Sequence, residues 1–267
     1  MLEPFSPAFM QRALIGGALV GFISGYFGVF IVQRRMAFLG SGLAHAAFGG
    51  VALGILIDAS PLWVALPFTV VVALAIVWIR ERTALAEDTA IGVLFAVSMA
   101  LGIVFISIKE GFAGDAFAYL FGSILAVSRQ DLILAAATAI LSICTFPLWR
   151  AWAYASFDRN LARTDRHQVI RHDFALAAAM AVAVVVSIKL VGIVLIAAFL
   201  VLPAASARVV SKTFRQMTML SVLIGVISPL IGLYVSYFAN LPSGATIILM
   251  QAALFVAALG VKRLASA

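Results

Sequence analysis

The sequence predicts an all-α polytopic membrane protein of about nine transmembrane helices. Three observations carry that prediction. Hydrophobic residues make up 64% of the 267 and charged residues only 11%, against roughly 25% charged in an ordinary soluble domain. The apolar runs are continuous and about 20 residues long, which suits helices that span a bilayer and not the short alternating strands of a barrel. One long polar segment, Arg150 to His172, interrupts them; a stretch this polar cannot lie in hydrocarbon.

Nine apolar segments follow in order: 10–32, 38–57, 61–79, 89–108, 131–149, 173–188, 191–207, 216–239 and 244–261. The sixth and seventh are short and separated by Lys189, so eight spans is the alternative. Basic residues decide between them, because cytoplasmic loops carry the Lys/Arg excess. With nine spans, Arg34, Arg35, Arg80, Arg82, the five arginines of 150–172, Arg208, Lys212, Arg215, Lys262 and Arg263 share one side, and only Arg12, Lys109, Arg129 and Lys189 face the other. The N-terminus is then outside and the C-terminus cytoplasmic, and the net charge of +7 reflects topology instead of a nucleic-acid partner. Fusing the sixth and seventh segments would put 208–215 outside and spoil this pattern.

Local signals punctuate the segments. Ser60, Asp88, Asp131, Asp173 and Ser243 stand where N-caps belong. Gly17, Gly21 and Gly25 repeat every fourth residue in the first segment, the small-residue spacing of closely packed helices. Pro203 and Pro229 mark kinks. The outer stretch 116–127 is too short to span and too apolar for a free loop, which predicts a re-entrant or external short helix. Residues 1–267 read as a single integral-membrane domain, without a basic region and cleavable apolar stretch at the start. The lone Cys144 excludes a disulfide framework or a cysteine metal cluster.

Two places carry candidate function. In 150–172, Tyr154, Phe157 and Leu161 fall at i, i+3 and i+7, an apolar stripe on a short amphipathic helix. That is a docking surface or, alternatively, a helix lying on lipid. The second place is His45, an ionisable side chain deep in an apolar run with Ser41, Gly42, Gly49 and Gly50 around it. Such groups are costly in a membrane and default to function, and imidazole is a common ligand for zinc and other transition metals. A tight metal site needs three or four ligands, so an ion passing His45 is weakly held, as conduction requires. The sequence has no phosphate loop, no H-E-x-x-H and no G-x-S-x-G; it is read as a transport subunit and not an enzyme.

Six stretches taken together, RRMAFLGSGLAHAAFGGVALG (34–54), EDTAIGVLFA (87–96), YLFGSILAVSRQDL (119–132), FDRNLARTDR (157–166), KLVGIVLIAAFLVLPAASAR (189–208) and LPSGATIIL (241–249), resemble the permease subunits of ABC importers for zinc and manganese. The resemblance runs along nearly the whole chain. It implies a type II importer fold, a homodimeric pore in a bacterial plasma membrane, two cytoplasmic ATPase subunits that hold the ATP, and an external metal-binding protein. The chain itself binds no cofactor; zinc or manganese is cargo. Residues 157–166 match the family's cytoplasmic coupling loop, which makes Phe157, Asp158, Leu161 and Arg163 the expected ATPase contacts. His45, Ser41 and, at the outer mouth, Asp115 are the expected pathway residues, with Asp131 a second mouth carboxylate if it is not a cap. One departure stands out: the family often reads G-D-x-L-x-H where this chain has Gly40 to His45, so Ser41 replaces a carboxylate. Losing a hard oxygen donor leans the cargo toward zinc. The alternative reading is a secondary, ATP-independent metal or proton-coupled carrier with His45 as its ion site; dependence on ATP separates the two.

Overall fold

A computed structural model describes residues 7–83, 85–109, 119–165 and 168–266. Among them there is no strand, and the long helices match the nine segments in order. They are α1 (Ala8–Gln33), α2 (Ala37–Leu56), α3 (Pro61–Arg82), α4 (Glu87–Ile108), α5 (Arg129–Cys144) with α6 (Phe146–Phe157), α7 (Arg159–Thr164), α8 (Val169–Val191), α9 (Ile193–Val210), α10 (Phe214–Ala239) and α11 (Ser243–Ser266). Eight are long and apolar enough to cross a membrane alone; α5 and α6, bent by 66° at their junction, make the ninth if counted as one span.

The local chemistry explains most helix ends. Pro61 sits at the first position of α3, where its missing N–H is no loss, and Arg80 and Arg82 occupy the last turn, where cations suit the helix dipole. Glu87 and Asp88 occupy the first turn of α4. Ser128 and Asp131 form a reciprocal capping box on α5, and the Thr213 side chain accepts the Gln216 N–H at the start of α10. Four expected N-caps prove otherwise, Asp131 being the third residue of α5 behind its cap Ser128. Asp88 is the second residue of α4, Ser243 opens α11 from inside the helix, and Asp173 lies a full turn into α8, because that helix starts at Val169.

Helices α1, α2 and α8 form the centre, with 72%, 72% and 67% of their most apolar windows buried, and α4 and α11 are peripheral at 17% each. Helix α1 packs against α10 and α9; α2 against α4, α3 and α9; α3 against α8; α5 against α1 and α8. The glycine spacing read in α1 faces α10: a methyl group on Gly21 would overlap the Gly225 carbonyl, and one on Gly25 would press on the Ser221 backbone. Ser221 Oγ donates to the Gly25 carbonyl oxygen at 2.7 Å across the same seam. Helices α9 and α10 run through Pro203 and Pro229, as α3 does through Pro67, without a break.

The sixth and seventh segments are separate helices, but the break is not at Lys189. Gly192, at φ 92°, is both the C-cap of α8 and the N-cap of α9. The chain reverses there: the start of α8 and the middle of α9 both lie beside the C-terminal half of α1, through Asp173 to Arg34 and through Leu200 and Ala204 to Gly28. Gly122, at φ 63°, lies directly against Gly192, and a side chain on either would collide with the other's backbone. The described part of the outer stretch thus turns into the protein: Ile124, in a 3-10 turn over Ile124–Ala126, is 3% exposed and reaches Gly17 of α1.

Candidate functional site

At the basic end of the molecule the structure builds one connected ion-pair cluster. Its centre is Asp173 of α8, 2% exposed. Arg34 of α1 donates from Nη1 to Oδ1 at 2.7 Å, and Oδ2 accepts from Arg80 of α3 at 2.6 Å and from Arg159 of α7 at 2.7 Å. Arg159 also donates to Glu81, whose other oxygen accepts from Arg163 at 2.6 Å. Arg80 reaches Glu87 of α4, and Arg34 Nε donates to Ser156 Oγ of α6 at 2.8 Å. Five helices besides α8 are therefore tied through guanidinium groups to two carboxylate centres. Forked, charge-assisted bonds of this kind fix geometry as well as charge.

The six-residue helix α7 hangs from this cluster. Asp158 caps it, accepting the Leu161 N–H at 2.9 Å. Arg159 and Arg163 hold its polar side to Glu81 and Asp173. Leu161 stays 49% exposed and Phe157 58% exposed, although Phe157 touches Phe214 edge-on. The expected single amphipathic helix is broken: Asp158 ends α6, so Tyr154 and Phe157 belong to α6 and Leu161 to α7. The segment 150–172 is also mostly helical, not an open loop. Of the four expected contacts, Phe157 and Leu161 present apolar surface, while Asp158 and Arg163 hold α7 in shape and place. Glu81 and Asp173 were missed; Asp173 read as a cap because hydrophobicity resumes there, and its partners lie far away in sequence.

In the membrane, Ser41 and His45 share one face of α2, four residues apart. His45 Nδ1 lies 2.9 Å from the Ser41 carbonyl oxygen. A carbonyl only accepts, so Nδ1 carries the proton and, in the neutral ring, Nε2 keeps its lone pair. A ring oriented through a backbone carbonyl is the usual arrangement behind a metal-binding histidine. The ring packs against Phe95 of α4 with centroids 4.7 Å apart and is partly exposed at the protein surface. No group of three or more His, Cys, Asp or Glu that could hold a metal occurs among the described residues. His45 thus contributes at most a share of a coordination shell.

At the opposite end, Asp131 pairs with Lys189 of α8 at 2.7 Å while serving the capping box, and Asp58 pairs with Lys109 at 2.5 Å. Asp131 is committed to structure. Asp115 lies outside the described residues.

The chain matches the ABC 3 transport family over residues 6–262. It is 38% identical over 264 residues to an uncharacterized membrane protein of Synechocystis sp., covering 98% of this chain and 94% of that one. It is 35% identical over 254 residues to the manganese transport system membrane protein MntC of Halalkalibacterium halodurans, covering 95% and 87%. It is 31% identical over 248 residues to the high-affinity zinc uptake system membrane protein ZnuB of Haemophilus influenzae, covering 92% and 95%. Among solved structures, PsaBC from Streptococcus pneumoniae in complex with Fab superposes with a TM-score of 0.84 at 30% identity, covering 97% and 95%.

Proposed function

Because the chain belongs to the ABC 3 transport family, we propose that it is the permease subunit of an ATP-driven importer that carries a divalent transition-metal ion, zinc or else manganese, across a bacterial plasma membrane into the cytoplasm. The observation that carries this reading is the suspension of α7. Its apolar residue Leu161, with Phe157 beside it, is presented to solvent while Arg159 and Arg163 bind its back to the ends of α3 and α8. A partner that grips Leu161 and Phe157 pulls, through these ion pairs, on helices that cross the membrane. Two cytoplasmic ATPase subunits are the expected partner, since this chain has no nucleotide loop of its own; their closure moves α7, and a second copy of the permease completes the pore. An external metal-binding protein delivers the ion.

His45 is the residue assigned to the ion. It stands about 12 Å into α2 from that helix's basic end, at 1.5 Å per residue, well inside the hydrocarbon. Its free Nε2 offers one soft-to-borderline donor, and Ser41 adds an oxygen in place of a carboxylate. That donor set suits zinc better than manganese. The relatives named above include both a manganese and a zinc system, so the metal is read from these residues.

Liposomes holding the chain with its ATPase and binding protein test the reading. Zinc uptake should require ATP and all the subunits. Equal uptake by the chain alone would overturn it in favour of a secondary carrier. Ser41→Asp should raise manganese uptake relative to zinc; an unchanged ratio would remove Ser41 from the pathway.

A further inference from the structure

The 66° bend between α5 and α6 opens a groove of about 520 Å³ against the first turns of α10, lined by Phe146, Trp149, Arg150, Arg215, Thr218 and Met219. Trp149 stacks at a tilt on Phe214, 5.3 Å between centroids, and closes the floor. Arg150 and Arg215 set the basic edge of the groove. Neither makes a hydrogen bond or ion pair among the described residues, whereas Arg34, Arg80, Arg159 and Arg163 are all paired. On its other side the groove runs into exposed apolar surface: Met219, Leu223 and Ile227 climb α10 at four-residue intervals, 57%, 53% and 39% exposed.

We propose that this groove binds an anionic phospholipid of the cytoplasmic leaflet, with its phosphate between Arg150 and Arg215 and an acyl chain along Met219, Leu223 and Ile227. The charge fits: two free guanidinium groups offer fork-shaped donors to a phosphate, and basic pockets between helices at the cytoplasmic side suit anionic head groups. The apolar stripe fits the remainder of a lipid and leaves a soluble phosphate compound with nothing to cover it. An aromatic ring at the junction of the two is where tryptophan favours the interface. This proposal is independent of the cargo.

Native mass spectrometry of the full-length chain, released from detergent with phosphatidylglycerol and phosphatidylcholine at equal load, provides the test. Phosphatidylglycerol should be retained in preference. The double variant Arg150→Gln, Arg215→Gln should lose roughly thirtyfold in that preference, at about fivefold for each basic residue near an anionic group. Arg171→Gln, the same charge loss at another exposed arginine, should leave it intact. Equal retention of both lipids by the unaltered chain overturns the proposal, as does equal weakening by Arg171→Gln, which would show bulk charge at work. Displacement by chain-free glycerophosphoglycerol as strongly as by the lipid overturns it in favour of a soluble phosphate ligand. If the double variant does not fold, each single variant should lose roughly fivefold, and retention at the original level by both singles overturns the proposal.

Discussion

Three guanidinium groups from α1, α3 and α7 converge on the Asp173 carboxylate, which is 2% exposed. Removing one partner of a buried pair leaves charge uncompensated and costs about 3–5 kcal/mol. Asp173→Asn, nearly identical in shape, should therefore lower the unfolding temperature of the detergent-solubilised protein sharply; an unchanged midpoint would mean that the arginines are satisfied by water. His45→Gln is expected to behave in the opposite way, leaving the midpoint where it is and cutting metal uptake at least about tenfold, the scale of losses on disturbing a metal's ligand surroundings. His45 was legible in the sequence because a lone ionisable side chain in an apolar run is conspicuous. Asp173 was not, because a carboxylate at the edge of hydrophobicity looks the same whether it caps a helix or holds together residues 139 and 93 positions away.

Helices carry two further expectations. In α7, Leu161 is half-exposed and supports little of the fold, so Leu161→Ala should leave assembly in the membrane intact and reduce coupled ATP hydrolysis and uptake together. Full activity would move the docking surface elsewhere. Between α1 and α10, Gly21→Val should abolish monodisperse protein, because the added carbons meet the Gly225 backbone, whereas Gly92→Val should be tolerated, since no atom lies within 4 Å of its added carbon; size-exclusion profiles of the two variants compare them directly. The four-residue glycine spacing announced a close helix pair, but nothing local named α10 as the partner. The break at Asp158 was equally hidden: Tyr154, Phe157 and Leu161 keep helical spacing across it, and the aspartate that ends α6 caps α7.

Across the whole molecule, the two ends differ in charge as the loop arginines required. The Arg34, Arg80, Arg159 and Arg163 cluster stands at one end, and the Asp58–Lys109 and Asp131–Lys189 pairs at the other. Orientation follows from the positive-inside rule and can be read with an impermeant thiol reagent. In a Cys144→Ser background, Ser60→Cys should label from outside intact cells, and Leu264→Cys, 82% exposed in the parent residue, only after the cytoplasm is opened. Labelling of both from one side would contradict nine passes. The pass count was legible because hydrophobic length and basic loops are summed properties of the chain. The 66° bend that divides the fifth segment had a local signal that hydrophobic length hides: Pro147 stands in the first turn of α6, where it cannot donate the hydrogen bond that would continue α5.

The shared carboxylate also orders events in time. Arg34 is made 139 residues, and Arg80 93 residues, before Asp173. At synthesis rates of about 5–20 residues per second, the first arginine waits on the order of ten seconds for its partner. Until α8 emerges, Arg34 stands at the cytoplasmic surface without its carboxylate and Arg80 has only its neighbours Glu81 and Glu87, charges that anchor the early helices against sliding into the bilayer. The emergence of one aspartate then converts these anchors into a clasp, so the first half of the protein becomes locked only when the second half begins to arrive.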